Sequence, residues 1–163
     1  MQRYVVVADA TRARIYSYEF TYDPEGPSER LHEECDLVDP ARQQTSSELF
    51  SDRAGSNHSG ARGYSVDDHR QEHKDKLDER FAREIIDRLS GLASSKGPRD
   101  LIMIASPRML GELRQHWGEL SKTGVAIDEL DRDLTKFTTH ELRGRLGELG
   151  LLPPRLAGPT MAH

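Results

Sequence analysis

Cysteine is nearly absent from this sequence of 163 residues, which contains only Cys35. One cysteine cannot form an internal disulfide or a cysteine-rich zinc module, so the composition predicts a cytoplasmic protein in a reducing compartment. Apolar residues make up 35% of the chain, and no run of them approaches the roughly 18 needed to cross a membrane. The first residues also hold too short an apolar run for a signal peptide. We therefore expect neither export nor a membrane anchor.

Positive charge is in the minority, because 23 Lys and Arg residues face 28 Asp and Glu residues for a formal charge of -5. No global field would attract nucleic acid, so any contact with RNA has to be local. The sequence contains no Walker loop and no G-x-G-x-x-G motif, which leaves nucleotide binding without support. No cofactor is predicted.

Runs rich in β-branched and aromatic residues predict five strands. The third strand alternates so that Leu31, Cys35 and Leu37 share an apolar face. The fourth is continuously apolar, as in central strands that are covered by helices on both sides. The predicted strands span residues 4–8, 13–20, 31–38, 101–105 and 125–130.

Three helices are predicted from apolar periodicity and capping residues. A long amphipathic helix runs from about Val66 to Leu92. A second begins at Pro107 after the N-cap Ser106, and a third follows the capping box of Thr138 and Glu141. Strands and helices together predict one domain, residues 1–150, followed by a loose tail over 151–163.

Residues 39–65 are rich in glycine and serine and predict a long flexible loop ahead of the long helix. Structureless loops longer than about 12 to 15 residues are usually functional or disordered. A binding role and a merely tolerated insertion both fit this segment.

Several short blocks occur in the order that they have in the bacterial host-attachment proteins, and the chain resembles that family. The sequence of elements also resembles the middle domain of the release factors that end translation in eukaryotes and archaea. The resemblance implies a three-layer α/β/α fold with a central mixed five-stranded sheet of RNase H-like topology. The blocks are Val7-Ala8-Asp9-Ala10, Ala13-Arg14-Ile15-Tyr16, Phe81-Ala82-Arg83-Glu84, Ala105-Ser106-Pro107-Arg108, Leu110-Gly111-Glu112-Leu113-Arg114, Asp133-Leu134-Thr135 and His140-Glu141-Leu142.

Release factors present a Gly-Gly-Gln tripeptide from the loop ahead of the long helix, and this chain has none there. The resemblance therefore implies a non-catalytic protein that contacts a ribosome or tRNA through the 39–65 loop, where arginines could meet phosphates. Ordinary surface arginine is the alternative, and a protein-interaction role in host attachment is also compatible. The candidate contacts are Arg42, Arg53, Asn57, His58 and Arg62.

A metal-dependent hydrolase is a second hypothesis, because His69, Glu72 and His73 match the H-x-x-E-H pattern of some zinc peptidases. The motif precedes the apolar stripe of its helix, which also fits a solvated first turn. Asp9 and Asp133 could form a magnesium-binding pair, although aspartate at a strand end is equally typical of a turn.

Overall fold

A computed structural model of the protein describes residues 2–39, 63–96 and 100–155. The described residues form one five-stranded sheet in the order β3-β2-β1-β4-β5. Strand β1 runs antiparallel to β2 and parallel to β4, so the sheet is mixed. The strands are β1 (Gln2–Ala8), β2 (Arg12–Asp23), β3 (Gly26–Val38), β4 (Asp100–Ala105) and β5 (Ala126–Asp131). The helices are α1 (Gly63–Lys96), α2 (Pro107–His116), α3 (Gly118–Lys122) and α4 (Thr139–Glu148).

Apolar side chains fill both faces of the sheet. On the α1 face, Phe81 and Leu113 pack into one cluster with Met103 of β4. On the α4 face, Leu142 packs into a second cluster with Ile104. Successive side chains of a strand point to opposite faces, so the apolar run of β4 supplies both layers. This arrangement confirms the three-layer α/β/α fold with its central mixed sheet.

The predicted helix starts of α2 and α4 are confirmed. The Ser106 hydroxyl accepts a hydrogen bond of 3.4 Å from the backbone N–H of Met109, and Pro107 opens the helix. The Thr138 hydroxyl accepts from the backbone N–H of Glu141 at 3.2 Å, and the Glu141 carboxylate accepts from the N–H of Thr138 at 3.0 Å. These caps satisfy N–H groups that have no partner within the helix.

Strand β3 departs from the predicted alternation. Consecutive residues of β2 pair with Glu33 and Cys35, so Glu34 is an extra residue that forms a β-bulge. The bulge shifts the alternation by one position, which places Leu31 against the α4 face and Cys35 against the α1 face. The expectation that Leu31 and Cys35 share a face was therefore wrong.

A buried arginine joins α4 to the long hairpin of β2 and β3. Arg143 is 4% exposed, and its Nε and Nη2 donate to one oxygen of Glu29 at 2.9 and 2.5 Å. The Tyr18 hydroxyl donates to the same oxygen at 2.9 Å, and the carbonyl of Pro153 accepts from Nη2 at 2.7 Å. At Gly147 an added Cβ would lie 3.0 Å from Nη1 of Arg143, so this glycine leaves room for the guanidinium.

The chain beyond α4 packs against the sheet. Leu152 is 3% exposed within the α4-face cluster, and the backbone carbonyl of Leu151 accepts a 2.7 Å hydrogen bond from Nη1 of Arg3. The first part of the predicted loose tail, residues 151–155, is thus held by apolar burial and by a strand arginine. Residues 156–163 lie outside the described part.

Candidate partner-binding surface

The predicted binding loop falls mostly outside the described residues, but both of its flanks are described. Asp39 is 6% exposed, and its backbone N–H donates to the carbonyl of Thr11 at 2.9 Å. The helix α1 begins at Gly63, earlier than predicted. The segment therefore leaves the sheet at the end where β1 finishes. The predicted contacts in the undescribed segment are Arg42, Arg53, Asn57, His58 and Arg62.

Helix α1 is longer than the central strand β1 of the sheet that it covers. Its 34 residues correspond to about 50 Å, and a seven-residue strand such as β1 spans about 23 Å. The C-terminal part lies over the sheet, because Lys96 is soon followed by Asp100, which pairs with Arg3 near the start of β1. The buried apolar positions run from Leu77 to Leu89. Every residue from 68 to 76 is exposed, and we call this stretch the projecting segment.

Arg108 of α2 contacts α1 at the C-terminal end of the projecting segment, where the helix begins to pack against the rest of the protein. It lies in the first turn of α2, directly after β4 ends, and its Nε is 2.8 Å from a carboxylate oxygen of Asp78. The side chain of Asp78 is 2% exposed, and Arg108 also contacts Asp75. Because α2 starts at the carboxyl ends of the parallel strands, the residues of α1 before Asp75 extend beyond the sheet.

The H-x-x-E-H residues lie on this projecting segment. Nδ1 of His69 is 4.0 Å from a carboxylate oxygen of Glu72, and these side chains are 81% and 71% exposed. His73 is exposed as well. Catalytic zinc normally takes three protein ligands and a water. Within residues 2–39, 63–96 and 100–155, no three His, Cys, Asp or Glu side chains are arranged to hold a metal.

We expect the purified protein to retain no stoichiometric zinc after chelation and refilling, because two exposed imidazoles on one helix turn supply too few ligands. Metal content measured by atomic absorption tests this. The Glu72→Gln variant should have the same zinc content as the control Glu84→Gln, because Glu84 is an exposed residue in the part of α1 that covers the sheet. One zinc per chain that is lost with His69→Ala would instead establish the metal site.

Asp9 belongs to a turn, as one of the two sequence interpretations holds. Its Oδ1 accepts from the backbone N–H groups of Thr11 and Arg12 at 2.8 and 2.7 Å. The Thr135 hydroxyl lies 3.1 Å from Oδ2 of Asp9 and 2.8 Å from Oδ1 of Asp133. The hydroxyl thus bridges the two carboxylates at the carboxyl end of the sheet and ties the chain after β5 to the β1–β2 turn.

Several arginines of the described part are neutralised by carboxylates through two hydrogen bonds each. The guanidinium of Arg12 holds the pKa of Asp36 below its usual range by hydrogen bonding. Arg114 lowers the pKa of Glu129 in the same way. Paired guanidinium groups offer little positive potential to phosphates. The pairs are Arg12 with Asp36, Arg14 with Glu33, and Arg114 with Glu129.

A family model described as "Protein required for attachment to host cells" matches residues 4–146. The chain belongs to this family. The match extends from β1 into α4 and includes both the 40–62 stretch and the projecting segment. A comparison with curated proteins finds none that matches this host-attachment family member. The relation to release factors stays a prediction.

Among the described residues of this family member, no helix is both long enough and apolar enough to cross a bilayer. The buried apolar residues of the long helix α1, from Leu77 to Leu89, lie on one stripe that the sheet covers.

Proposed function

We propose that this host-attachment family member is a binding protein that engages a protein partner through the projecting segment of α1 and the 40–62 stretch that leads into it. The observation that supports this proposal is the extension of α1 beyond the sheet in the projecting segment. The part over the sheet buries Leu77, Phe81 and Ile85, whereas every residue of the projecting segment is exposed and Asp75, near its C-terminal end, contacts Arg108 of α2.

The projecting segment offers a partner a binding surface that is already helical before binding. Short isolated helices are marginal in water because nucleation is costly, but the packed part of α1 supplies the nucleus for the turns beyond it. A partner would therefore meet ordered side chains and would lose less conformational entropy on binding than with a flexible segment.

The charge of the projecting segment favours a protein partner over a polyanion. Positive and negative formal charges cancel, and the chain as a whole carries -5. RNA binding depends on an excess of Lys and Arg that displaces counterions from phosphates. The charged residues of the segment are Asp68, Arg70, Glu72, Lys74, Asp75 and Lys76.

The ribosome or tRNA is the partner that the release-factor resemblance implies. Binding to a ribosome or tRNA would depend on Arg42, Arg53 and Arg62, which lie outside the described residues. The described arginines that pair with carboxylates do not support RNA binding. We therefore keep it as the alternative that the experiment has to exclude.

A photo-crosslinking residue in place of Arg70 is expected to give covalent adducts with a discrete protein in cells, because Arg70 is exposed on the projecting segment. The matched control replaces Asp87, which is exposed on the covered part of α1. Adducts are read by gel shift and mass spectrometry.

Equal yields at both positions would remove the projecting segment as the binding surface. Co-sedimentation with ribosomes at low salt, weakened by Arg53→Ala with Arg62→Ala, would instead favour the ribosome, because phosphate contacts are sensitive to salt and to the loss of arginine.

A further inference from the structure

The outer face of α1 carries basic and imidazole side chains in a single row. Their positions advance by four, three, four and three residues, so they lie on one line along the helix. All of them are exposed, and the line lies on the side of α1 opposite the buried residues from Leu77 to Leu89. We call this row the basic stripe. It consists of His69, His73, Lys76, Arg80 and Arg83.

The carboxylates of the projecting segment lie to the side of the basic stripe. The formal charges of the segment cancel as a whole, but Asp75 points toward α2, where it contacts Arg108. The carboxylate of Glu72 lies 4.0 Å from an imidazole of the stripe. The position that would continue the stripe after Arg83 is Asp87, whose negative charge ends it. Positive charge is therefore concentrated on the outward face of α1 over about four turns.

Lys76 and Arg80 are the cations of the stripe that remain available to a partner. Among residues 2–39, 63–96 and 100–155, neither takes part in an ion pair, whereas Arg83 donates to Glu79 at 3.1 Å. These four side chains line a surface pocket of about 230 Å³. Several arginines of the sheet and of α2 are neutralised by two hydrogen bonds each, so the stripe contributes positive potential that those arginines do not.

A row of carboxylates on a protein partner is the chemistry that fits this arrangement. Neighbouring side chains of the stripe have Cβ atoms about 5–6 Å apart, which is also the spacing of residues three or four apart on another helix. A helix with acidic residues at these intervals brings one carboxylate near each cation. A nucleic acid fits less well, because Glu79 lines the pocket and Asp87 follows the stripe, and both repel phosphates.

We infer that the basic stripe binds an acidic helix of a partner protein, whose carboxylates contact Lys76, Arg80 and Arg83. The inference rests on the proposed function, because the stripe begins in the projecting segment. It adds the charge and the secondary structure of the partner, and it extends the contact along α1 as far as Arg83. Exposed charges are screened by salt, so binding should weaken as the ionic strength rises.

A fluorescein-labelled peptide of glutamate and alanine tests the inference on the full-length protein. The peptide has about 20 residues, long enough to be helical in water, and carries glutamate at alternating intervals of three and four residues. Fluorescence anisotropy at low salt should rise to saturation, and added salt should reduce the affinity. A peptide with glutamine in place of every glutamate should give no saturable rise.

Paired charge reversals assign the binding to the stripe. Lys76→Glu with Arg80→Glu should weaken binding of the glutamate peptide about tenfold or more, because two attractive contacts become repulsive. The matched control is Lys74→Glu with Arg88→Glu, which changes the net charge equally at exposed positions of α1 that lie off the stripe. The control should change the affinity less than about threefold, because its charges act from a greater distance through salt.

Three results of these titrations would overturn the inference. The first is equal binding of the glutamate and glutamine peptides, and the second is an equal loss of affinity in the two double variants. The third is a single-stranded RNA of the same length that binds more tightly than the glutamate peptide.

Crosslinking from position 70 separates this inference from the proposed function. We expect the adducts formed at Arg70 in cells to be lost when Lys76→Glu and Arg80→Glu are also present. Adducts that persist in this background keep the projecting segment as a binding surface and overturn the inference of an acidic partner. A parent protein that gives no discrete adduct at Arg70 fails the proposed function, whatever the peptide titration shows.

Discussion

Replacing Arg143 by methionine is expected to lower the free energy of unfolding by about 3–5 kcal/mol, the usual cost of breaking a buried ion pair. The side chains of Arg143 and Glu29 are 5% and 16% exposed, so loss of the guanidinium leaves a carboxylate with little access to water. The Tyr18 hydroxyl alone cannot replace the two donors that Arg143 supplied. Urea denaturation followed by circular dichroism measures the change.

The matched control for this prediction is Arg145→Met on the same helix. Arg145 pairs with Glu148 at 3.1 Å, but these side chains are 43% and 68% exposed. A solvent-exposed pair contributes about 0–1 kcal/mol, so the control should lose little stability. Adding Glu29→Gln to Arg143→Met should recover part of the loss, since it removes the stranded charge. Similar losses in the two single variants would contradict a special role for Arg143.

Replacing Phe81 by alanine is the second change with a large expected effect. Phe81 is 1% exposed in the α1-face cluster, where it packs with residues such as Met103 and Leu113. Truncating a buried phenylalanine to alanine costs about 3–5 kcal/mol, because apolar burial is lost and a cavity remains. The free energy of unfolding from urea titration is again the measurement.

Lys74→Ala is the comparison on the same helix. Lys74 is exposed within the projecting segment, so this change should stay within about 0.5 kcal/mol of the parent. Comparing the loss of unfolding free energy in Phe81→Ala and Lys74→Ala tests whether α1 packs against the sheet only in its C-terminal part. A large loss from Lys74→Ala would mean that the projecting segment packs against the body and is not available to a partner.

Local signals predicted the body of the fold well. The apolar run at 101–105 indicates a strand covered on both sides, because both of its faces must avoid water. Ser106 with Pro107, and Thr138 with Glu141, fix two helix starts through hydrogen bonds within four residues. Signals of this kind need no knowledge of the rest of the chain.

Features that depend on the pairing of distant residues escaped prediction. The sequence of β3 does not reveal the bulge at Glu34. The bulge is defined by the pairing of Glu33 and Cys35 with consecutive residues of β2, and this pairing cannot be derived from the residue pattern of β3 alone. The bond between Arg143 and Glu29 joins residues 114 positions apart. The H-x-x-E-H spacing is local, yet further metal ligands would have to come from elsewhere in the fold.

The hydrogen bond between Arg3 and the carbonyl of Leu151 brings the two extremes of the described chain side by side. A short linker could therefore join them, and the backbone could be opened between residues 40 and 62 instead. Such a circularly permuted chain would keep the strand order and both apolar layers, since it cuts none of the described elements. It would also turn the stretch ahead of α1 into a pair of free termini, which separates its contribution to partner binding from that of the helix.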